Sequence, residues 1–356
     1  MQSNKNTAII ACAGAGKTTC IVKTALKLND RRILITTYTN ENVAQIYDCF
    51  IEHNGFVPKN IEIMPWSTFL LQEGVRPYQN HMSNHRRVKS IYFQQGGSIY
   101  HKKDNYFTKG NDIYSNKLSE FVFECNKTSG DLVLKRLEKI YSQIFIDELQ
   151  DFAGYDLNLL DSLFNSNIEI TIVGDPRQAT FSTNFASKNR KFRRHKIFDW
   201  LKERERNGAI EVEENNVSYR CNPSICDFSD RFYPDYSKTI SQNLSPTGHD
   251  GVFLISPNDI EHYIKKYQPK VLRHNKRAKT AGLPAMNIGA SKGRTYNRVL
   301  IFPTAPMLEY IKSADILKAG DITKFYIAVT RARHSVAFVI DKKRFSSNLA
   351  SWWRRD

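Results

Sequence analysis

Short apolar runs rich in β-branched residues alternate along this chain with longer stretches of helical periodicity. In the first half these runs are Ile9–Ile10, Ile33–Ile35, Ile61–Ile63, Ile144–Ile146 and Ile168–Val173, and in the second half they are Val252–Ile255, Val299–Phe302 and Val336–Ile340. Strands that alternate with helices favour a mostly parallel sheet with helices on both faces. The pattern therefore predicts an α/β protein made of two parallel-sheet units.

The length supports the same division, because a chain of 356 residues exceeds the usual domain size of about 150 residues. We place a first domain at residues 1–200 and a second at residues 201–356. Two regions fit the strand–helix alternation poorly, about 75–140 and about 226–285. We interpret them as an insertion into the first domain and a smaller one into the second.

The balance of charge points to a polyanionic partner. The sequence holds 52 Lys and Arg against 36 Asp and Glu, a formal net charge of +16. Residues 187–196 contain six cations and no acid. Nucleic acid is the leading candidate partner, and a solvated basic surface is the alternative.

The cysteine pattern and the hydropathy indicate in which cellular compartment the protein is expected. The six cysteines form no CxxC pair, which argues against a zinc site or a disulfide framework and indicates a reducing compartment. No apolar run approaches the ~18 residues of a membrane span. We therefore expect a cytoplasmic protein with no membrane partner.

The segment Ala11–Thr18 is the first piece of candidate chemistry, since it follows an apolar run and precedes a helical pattern. Its small residues would let backbone N–H groups surround phosphate oxygens, and Lys17 would reach the β- and γ-phosphates. Thr18 would ligate Mg²⁺ at the helix N-terminus. The expected cofactors are ATP and Mg²⁺. The cofactor-binding residues would be Ala13, Gly14, Ala15, Gly16, Lys17, Thr18 and Thr19.

Acidic residues follow another buried run. Asp147–Asp151 come directly after Ile144–Ile146. Asp147 would hold the metal together with Thr18, and Glu148 would polarise the attacking water. A solvated acidic turn is the alternative. A further strand ends in Gly174–Gln178, where the neutral amide of Gln178 is suited to sensing the γ-phosphate.

Taken in order, eight short motifs resemble those of the UvrD/Rep family of superfamily 1 helicases. They are Ala11–Thr18, Thr37–Asn40, Pro65–Phe69, Asp147–Asp151, Gly174–Phe181, Tyr219–Arg220, Ser291–Gly293 and Tyr326–Ala332. The resemblance implies a P-loop NTPase with two tandem RecA-like parallel-sheet domains carrying small helical insertions.

The resemblance also implies roles for individual residues. Tyr219 and Gly293 would contact the nucleotide. Arg220 and Arg331 would be arginine fingers from the second domain and would act in catalysis together with Glu148 and Gln178. The DNA-binding residues would be Thr37, Tyr38, Thr39, Asn40, Trp66, Phe181, Ser291 and Lys292. For the aromatic residues core packing is the alternative, most of all for Trp66.

Three functions remain open from the sequence. The first is an ATP-dependent translocase and helicase on single-stranded or tailed duplex DNA, with 3′-to-5′ polarity implied by the resemblance. The second is a DNA-stimulated ATPase subunit that regulates a partner such as a nuclease in an antiviral or repair complex. The third, a P-loop ATPase acting on a small molecule, does not account for Arg220, Arg331 or Tyr38.

Overall fold

The computed structural model describes residues 6–82, 87–93, 106–179, 188–314, 319–341 and 345–355. These residues form two compact units. The first unit consists of the described residues of Met1–Ile10 and Lys17–Glu214. The second consists of Ala11–Gly16 and the described residues of Asn215–Asp356.

The first unit is built on a six-stranded sheet. Its strands and helices are β1 (Thr7–Ala11), α1 (Lys17–Ala25), β2 (Ile33–Thr37), α2 (Asn40–Asn54), β3 (Ile61–Pro65), α3 (Trp66–Phe69), β4 (Ile91–Tyr92), β5 (Ile113–Tyr114), α4 (Leu118–Thr128), α5 (Leu132–Ile140), β6 (Gln143–Ile146), α6 (Tyr155–Phe164), β7 (Glu169–Gly174), α7 (Ile197–Arg206) and β8 (Glu211–Asn215). The strand order is β3-β2-β6-β7-β1-β8, and the pairings from β3 through β1 are parallel. A separate two-stranded pair joins β4 and β5.

Alternate residues of these strands point to opposite faces of the sheet, and both faces are covered. On β2, Leu34 packs into one apolar core while Ile33 and Ile35 pack into another. On β6, Ile144 and Ile146 join the first core and Phe145 joins the second. A strand buried on both faces reads as a continuous apolar run, which is why the sequence pattern located it.

In the region about 75–140, expected as an insertion, the longest elements that the structure describes are helices. A π-helical segment, Leu70–Val75, leads into it, and α4 and α5 follow the β4–β5 pair. Phe121, Val122 and Cys125 of α4 are at most 2% exposed and lie in the main core of the first unit. Much of this region is therefore part of the core of the first unit.

The second unit contains another six-stranded parallel sheet. Its elements are β9 (Val217–Ser218), α8 (Pro223–Asp230), β10 (Ile240–Ser241), β11 (Gly251–Ile255), α9 (Ile260–Tyr267), β12 (Lys270–Arg273), β13 (Met286–Asn287), β14 (Tyr296–Phe302), α10 (Ala305–Ser313), α11 (Ala319–Val329), β15 (Ala332–Val339) and β16 (Ser351–Trp352). The strand order is β13-β12-β14-β15-β11-β16. Leu300 on β14 packs on the opposite face from Val299 and Ile301, so this sheet too is covered on both sides.

The interpretation of residues 226–285 as an insertion is wrong. This stretch supplies β11, α9 and β12, and β12 lies beside β14 inside the second sheet. Its prolines, including Pro246 and Pro269, lie outside these three elements. The predicted α/β fold with two tandem RecA-like parallel sheets is confirmed. Within the described ranges, no helix combines the length and apolar character that a bilayer crossing needs.

Candidate functional site

The carboxyl ends of the parallel strands in the first unit meet at one edge of its sheet. Thr37–Asn40 follow β2, Asp147–Asp151 follow β6, and Asp175–Gln178 follow β7. Because β6 and β7 are neighbours, their two polar segments lie side by side. Ligands of open α/β sheets bind outside this edge. The candidate residues of the first unit are therefore gathered where such a ligand would sit.

Asp147 and Thr18 lie together at this edge. The Thr18 hydroxyl donates a hydrogen bond to Asp147 Oδ2 at 3.4 Å. The backbone N–H of Asp147 donates to the Thr36 carbonyl at 2.9 Å, which extends the pairing of β6 with β2 and fixes the carboxylate in place. A hydroxyl beside one carboxylate matches the sparse set of protein ligands that Mg²⁺ prefers when phosphates and water complete its octahedron. The donor set therefore fits Mg²⁺.

Glu148 is held in an unusual backbone conformation. Its φ of 60° and ψ of 44° place a non-glycine residue in the left-handed region. The backbone N–H of Glu148 donates to Asp147 Oδ1 at 2.9 Å, and its side chain is only 9% exposed. Strained backbone of this kind is concentrated at functional sites. The two neighbouring carboxylates have different side-chain partners, Thr18 for Asp147 and Gln150 for Glu148.

Gln150 connects the two neighbouring strand ends. Its Nε2 donates to Glu148 Oε2, and its Oε1 accepts from the Asp175 backbone N–H at 2.9 Å. A Cβ at Gly174 would lie 2.8 Å from Gln150 Oε1, so glycine is needed where the two segments approach. The buried amide thus orients Glu148 and ties it to the end of β7. Gln150 belongs to the segment Asp147–Asp151 that the sequence singled out, but it was not among the expected site residues.

Asp175 is a fully buried carboxylate with charged and polar partners. Its Oδ1 accepts from Arg177 Nε at 2.8 Å, and its Oδ2 accepts from Gln178 Nε2 at 2.8 Å. Burial would raise the pKa of Asp175, but the positive charges of Arg177 and Lys17 outweigh it and hold the pKa below its ordinary value. Asp175 therefore stays ionised and fixes the amide of Gln178.

Ala11–Gly16 belong to the second unit. The backbone N–H of Tyr219 donates to the Gly14 carbonyl at 2.9 Å, and the Ser218 hydroxyl donates to the Ala13 carbonyl at 2.8 Å. Gly14 and Gly16 have φ values of 80° and 73°, which glycine adopts without strain. A Cβ at Gly14 would lie 2.5 Å from Arg220 Cβ, so no side chain fits there. Ala15 is buried in the same loop. Helix α1 follows this loop, begins at Lys17 and includes Thr19.

The two predicted arginine fingers differ in their surroundings. Arg331 is 1% exposed, and its guanidinium donates to the carbonyls of Ile327 at 3.1 Å and Arg294 at 3.3 Å. Arg220 donates to the Thr330 carbonyl at 3.2 Å, and burial lowers its pKa. Both guanidinium groups thus hold backbone carbonyls next to the end of α11. Their catalytic roles remain predictions.

Of the remaining predicted residues of the second unit, Tyr219, Lys292 and Gly293 are at least partly accessible, whereas Ser291 is buried. Tyr219 is 64% exposed, which suits a ring that stacks on a planar group. Lys292 is half-buried, and Gly293 has a φ of 81°. Ser291 is fully buried, and its hydroxyl donates to the Ile288 carbonyl at 2.7 Å. In this arrangement the Ser291 hydroxyl supports the local turn.

Thr37–Asn40 form the connection between β2 and α2. Thr37 is buried, and its hydroxyl accepts from Asn42 Nδ2 at 3.2 Å. Thr39 caps α2, because its hydroxyl accepts from the Asn42 backbone N–H at 3.2 Å. Tyr38 is half-buried and Asn40 is exposed. Of the four residues, Asn40 is the most exposed, and Tyr38 and Thr39 are partly accessible.

Trp66 is a core residue. It is 2% exposed, its Nε1 donates to the buried Asp156 Oδ1 at 2.8 Å, and its ring lies 5.1 Å from the ring of Phe152. No face of the ring is open for stacking on a base, so core packing accounts for its surroundings. Phe181, the other aromatic expected to stack, lies outside the described residues.

A cleft on the first unit brings further residues to Tyr38 and Asn40. It has a volume of about 460 Å³, and Arg76, Lys89 and Phe93 line it as well. Sequence reasoning missed these three residues because their segment shows no clear periodicity. The exposure of Phe93, 74%, appears only in the folded chain.

The described residues contain no cluster of three or more His, Cys, Asp and Glu side chains able to hold a metal by themselves. A metal bound by Thr18 and Asp147 would therefore depend on ligands from the nucleotide and water. This dependence is typical of Mg²⁺ in nucleotide sites.

Similar proteins have been identified by sequence and by structure. Residues 56–192 match the family model of the UvrD/REP helicase N-terminal domain. No curated protein gives a significant match. Similar solved structures include arterivirus nonstructural protein 10, a helicase, at 15% identity and a TM-score of 0.48, covering 94% of this chain and 59% of that one.

Two further solved structures are also similar. The PRRSV helicase has 17% identity and a TM-score of 0.47, covering 96% of this chain and 54% of that one. The complex of arterivirus nonstructural protein 10 with DNA has 13% identity and a TM-score of 0.49, covering 95% of this chain and 62% of that one. The chain thus spans between 54% and 62% of the length of these structures.

The matched family region contains the ends of β6 and β7, and with them Asp147–Asp151 and Asp175–Gln178. The order of motifs in the sequence and the residues gathered at this sheet edge agree with that match. The similarity to the UvrD/REP helicase N-terminal domain therefore covers residues 56–192, and this part of the chain includes the polar ends of β6 and β7.

Proposed function

We propose that this chain is an ATP-dependent single-stranded DNA translocase and helicase of the UvrD/Rep type, with 3′-to-5′ polarity. The observation that carries the proposal is the connected network at the sheet edge of the first unit. Thr18 donates to Asp147, Gln150 joins Glu148 to the Asp175 backbone, and Asp175 holds Gln178. A solvated acidic turn would not need buried amides to orient its carboxylates.

Each of these side chains has a defined task in the proposed reaction. Thr18 and Asp147 would hold Mg²⁺, which when bound neutralises negative charge on the nucleotide phosphates. Glu148 would accept a proton from the attacking water, and Gln150 would keep its carboxylate in the orientation for doing so. Asp175 would hold the Gln178 amide in a fixed orientation, from which the amide would sense the γ-phosphate.

The test of the nucleotide site uses Lys17→Ala. We expect it to abolish ATP hydrolysis while leaving affinity for DNA largely intact, because Lys17 begins α1 next to the proposed phosphate site. Lys23→Ala is the matched control, since Lys23 is an exposed lysine of the same helix. Turnover by Lys17→Ala equal to that of the control would refute the site assignment.

The test of the motor function combines two assays of the wild-type chain. ATP hydrolysis should rise with single-stranded DNA, and a strand should be displaced from a duplex with a 3′ tail but not from one with a 5′ tail. Hydrolysis that is indifferent to DNA would favour a small-molecule ATPase. Stimulated hydrolysis without displacement would favour the alternative role, a DNA-sensing ATPase subunit that regulates a partner nuclease in antiviral defence or repair.

A further inference from the structure

The cleft on the first unit has two walls of different origin. One wall is the connection after β2, with Tyr38 and Asn40, which the sequence already associates with DNA. The other comes from the region between β3 and α4, with Arg76, Lys89 and Phe93. The second wall is not part of any motif that the sequence resemblance covers. The sequence resemblance therefore assigns no role to Arg76, Lys89 and Phe93.

The second wall is anchored to the rest of the unit. Arg76 Nη2 donates to the Lys89 carbonyl at 2.9 Å, and the Val88 backbone N–H donates to Gln79 Oε1 at 2.7 Å. The Lys89 backbone N–H donates to the Asn111 carbonyl at 3.0 Å, and Val88 is 3% exposed. These bonds fix Lys89 and the start of β4 relative to the core. A surface held in this way is preorganised for a ligand.

The chemistry of the cleft is basic and aromatic. Arg76 and Lys89 are exposed cations, and no acid is among the described residues that line the cleft. Phe93 is 74% exposed, whereas its neighbour Tyr92 packs edge-on against Tyr114 with ring centroids 5.8 Å apart. An exposed phenylalanine beside two cations costs solubility unless a planar, negatively charged ligand covers it. Grooves that bind single strands combine these two features.

We propose that Arg76, Lys89 and Phe93 form a second wall of a single-strand binding groove, in which Phe93 stacks on a base and the two cations contact phosphates. The proposal rests on the function proposed above and names the part of the surface that holds the strand. An acidic peptide would use the cations but would leave the rings of Phe93 and Tyr38 without planar partners. The cleft volume of about 460 Å³ lies within the range of pockets that enclose small ligands, which suits a base with its sugar and phosphate.

The stacking role is tested with Phe93→Ala, measured as the affinity for fluorescein-labelled oligothymidylate and oligouridylate by anisotropy without nucleotide. Loss of one stacked base should weaken binding by about fivefold or more. Phe93→Tyr should restore the affinity because it keeps the ring. Phe56→Ala is the matched control, since Phe56 is 62% exposed but precedes β3, whereas the cleft lies beyond the other end of that strand.

The phosphate contact is tested with Lys89→Ala across a range of salt concentrations. Loss of one contact should make the slope of log K against log salt shallower by about 0.7. Lys59→Ala, an exposed lysine that precedes β3, should leave the slope unchanged. Tighter binding of one oligomer identifies the sugar that the groove prefers, and either preference supports the proposal.

The outcomes separate this proposal from the proposed function. If the wild-type chain binds neither oligomer, both are refuted. If the wild-type chain binds but Phe93→Ala binds as well as Phe56→Ala, only the second wall is refuted. Binding of a blunt duplex as tight as that of a single strand would also overturn it, because paired bases have no open face for Phe93. Thermal unfolding of each variant shows that the fold is retained.

Discussion

Removing the carboxylate of the buried ion pair between Asp175 and Arg177 should lower the stability of the first unit by several kcal/mol, and Asp175→Asn tests this. Asp175 is fully buried and Arg177 is 4% exposed. In the wild-type chain, Asp175 accepts from Arg177 Nε and from Gln178 Nε2, each at 2.8 Å. Asparagine keeps one oxygen acceptor but turns an NH₂ group toward a donor. The substitution therefore removes the negative charge that Asp175 supplies to the buried guanidinium of Arg177.

The expected magnitude follows from the burial of both partners. Removing one member of a buried ion pair costs about 3–5 kcal/mol, because the remaining charge is uncompensated. Glu169→Gln is the matched control, since Glu169 begins the same strand that Asp175 follows. Its pair with Arg31 is at the surface, where the two side chains are 39% and 44% exposed. An exposed pair of this kind is worth at most about 1 kcal/mol.

The assay is urea unfolding followed by circular dichroism at several pH values. Because the pKa of Asp175 is lowered in the folded chain, its contribution is fully present above the unfolded aspartate pKa of about 3.9. It is lost as the pH falls through the lower folded value. The difference between wild type and Asp175→Asn should therefore be constant near neutral pH and shrink below about pH 4. A loss at pH 7 no larger than that of Glu169→Gln would refute the reasoning.

Two further predictions concern the candidate site. Glu148→Gln should bind ATP and single-stranded DNA but hydrolyse slowly, because an amide cannot accept the proton from water; a normal rate in single-turnover hydrolysis would count against Glu148 as the base. Trp66→Phe should lower stability in urea by about 1.5–3 kcal/mol through loss of the hydrogen bond to Asp156, and leave DNA affinity unchanged. Weaker DNA binding by a stably folded Trp66→Phe would instead support a stacking role.

The proposed catalytic residues could be located in the sequence because the pattern that marks them is local. Asp147 and Glu148 stand directly after an apolar run, and a strand buried on both faces ends where its apolar run ends. The side-by-side position of Asp147–Asp151 and Asp175–Gln178 followed only from the strand order, which places β6 beside β7. Sequence spacing does not encode strand order.

The sequence is least informative about residues whose position depends on burial, and for Trp66 it left both stacking and core packing open. The sequence around Trp66 does not show whether its ring faces solvent or the core. In the fold the ring packs against Phe152. Residues 226–285 appeared to be an insertion because prolines interrupt their periodicity, yet β12 lies inside the second sheet. Proline marks a connection but does not show whether the elements on either side share a sheet.

The sequence by itself determined the fold class, the strands with long apolar runs and the residue types of the proposed nucleotide site, since hydrophobic periodicity and short motifs are properties of adjacent residues. Only the tertiary structure decided that Gln150 ties Glu148 to the Asp175 backbone and that Phe93, Lys89 and Tyr38 line one cleft. These relations join residues far apart in the chain. They depend on which strands and loops become neighbours, which is settled by packing both faces of each sheet at once.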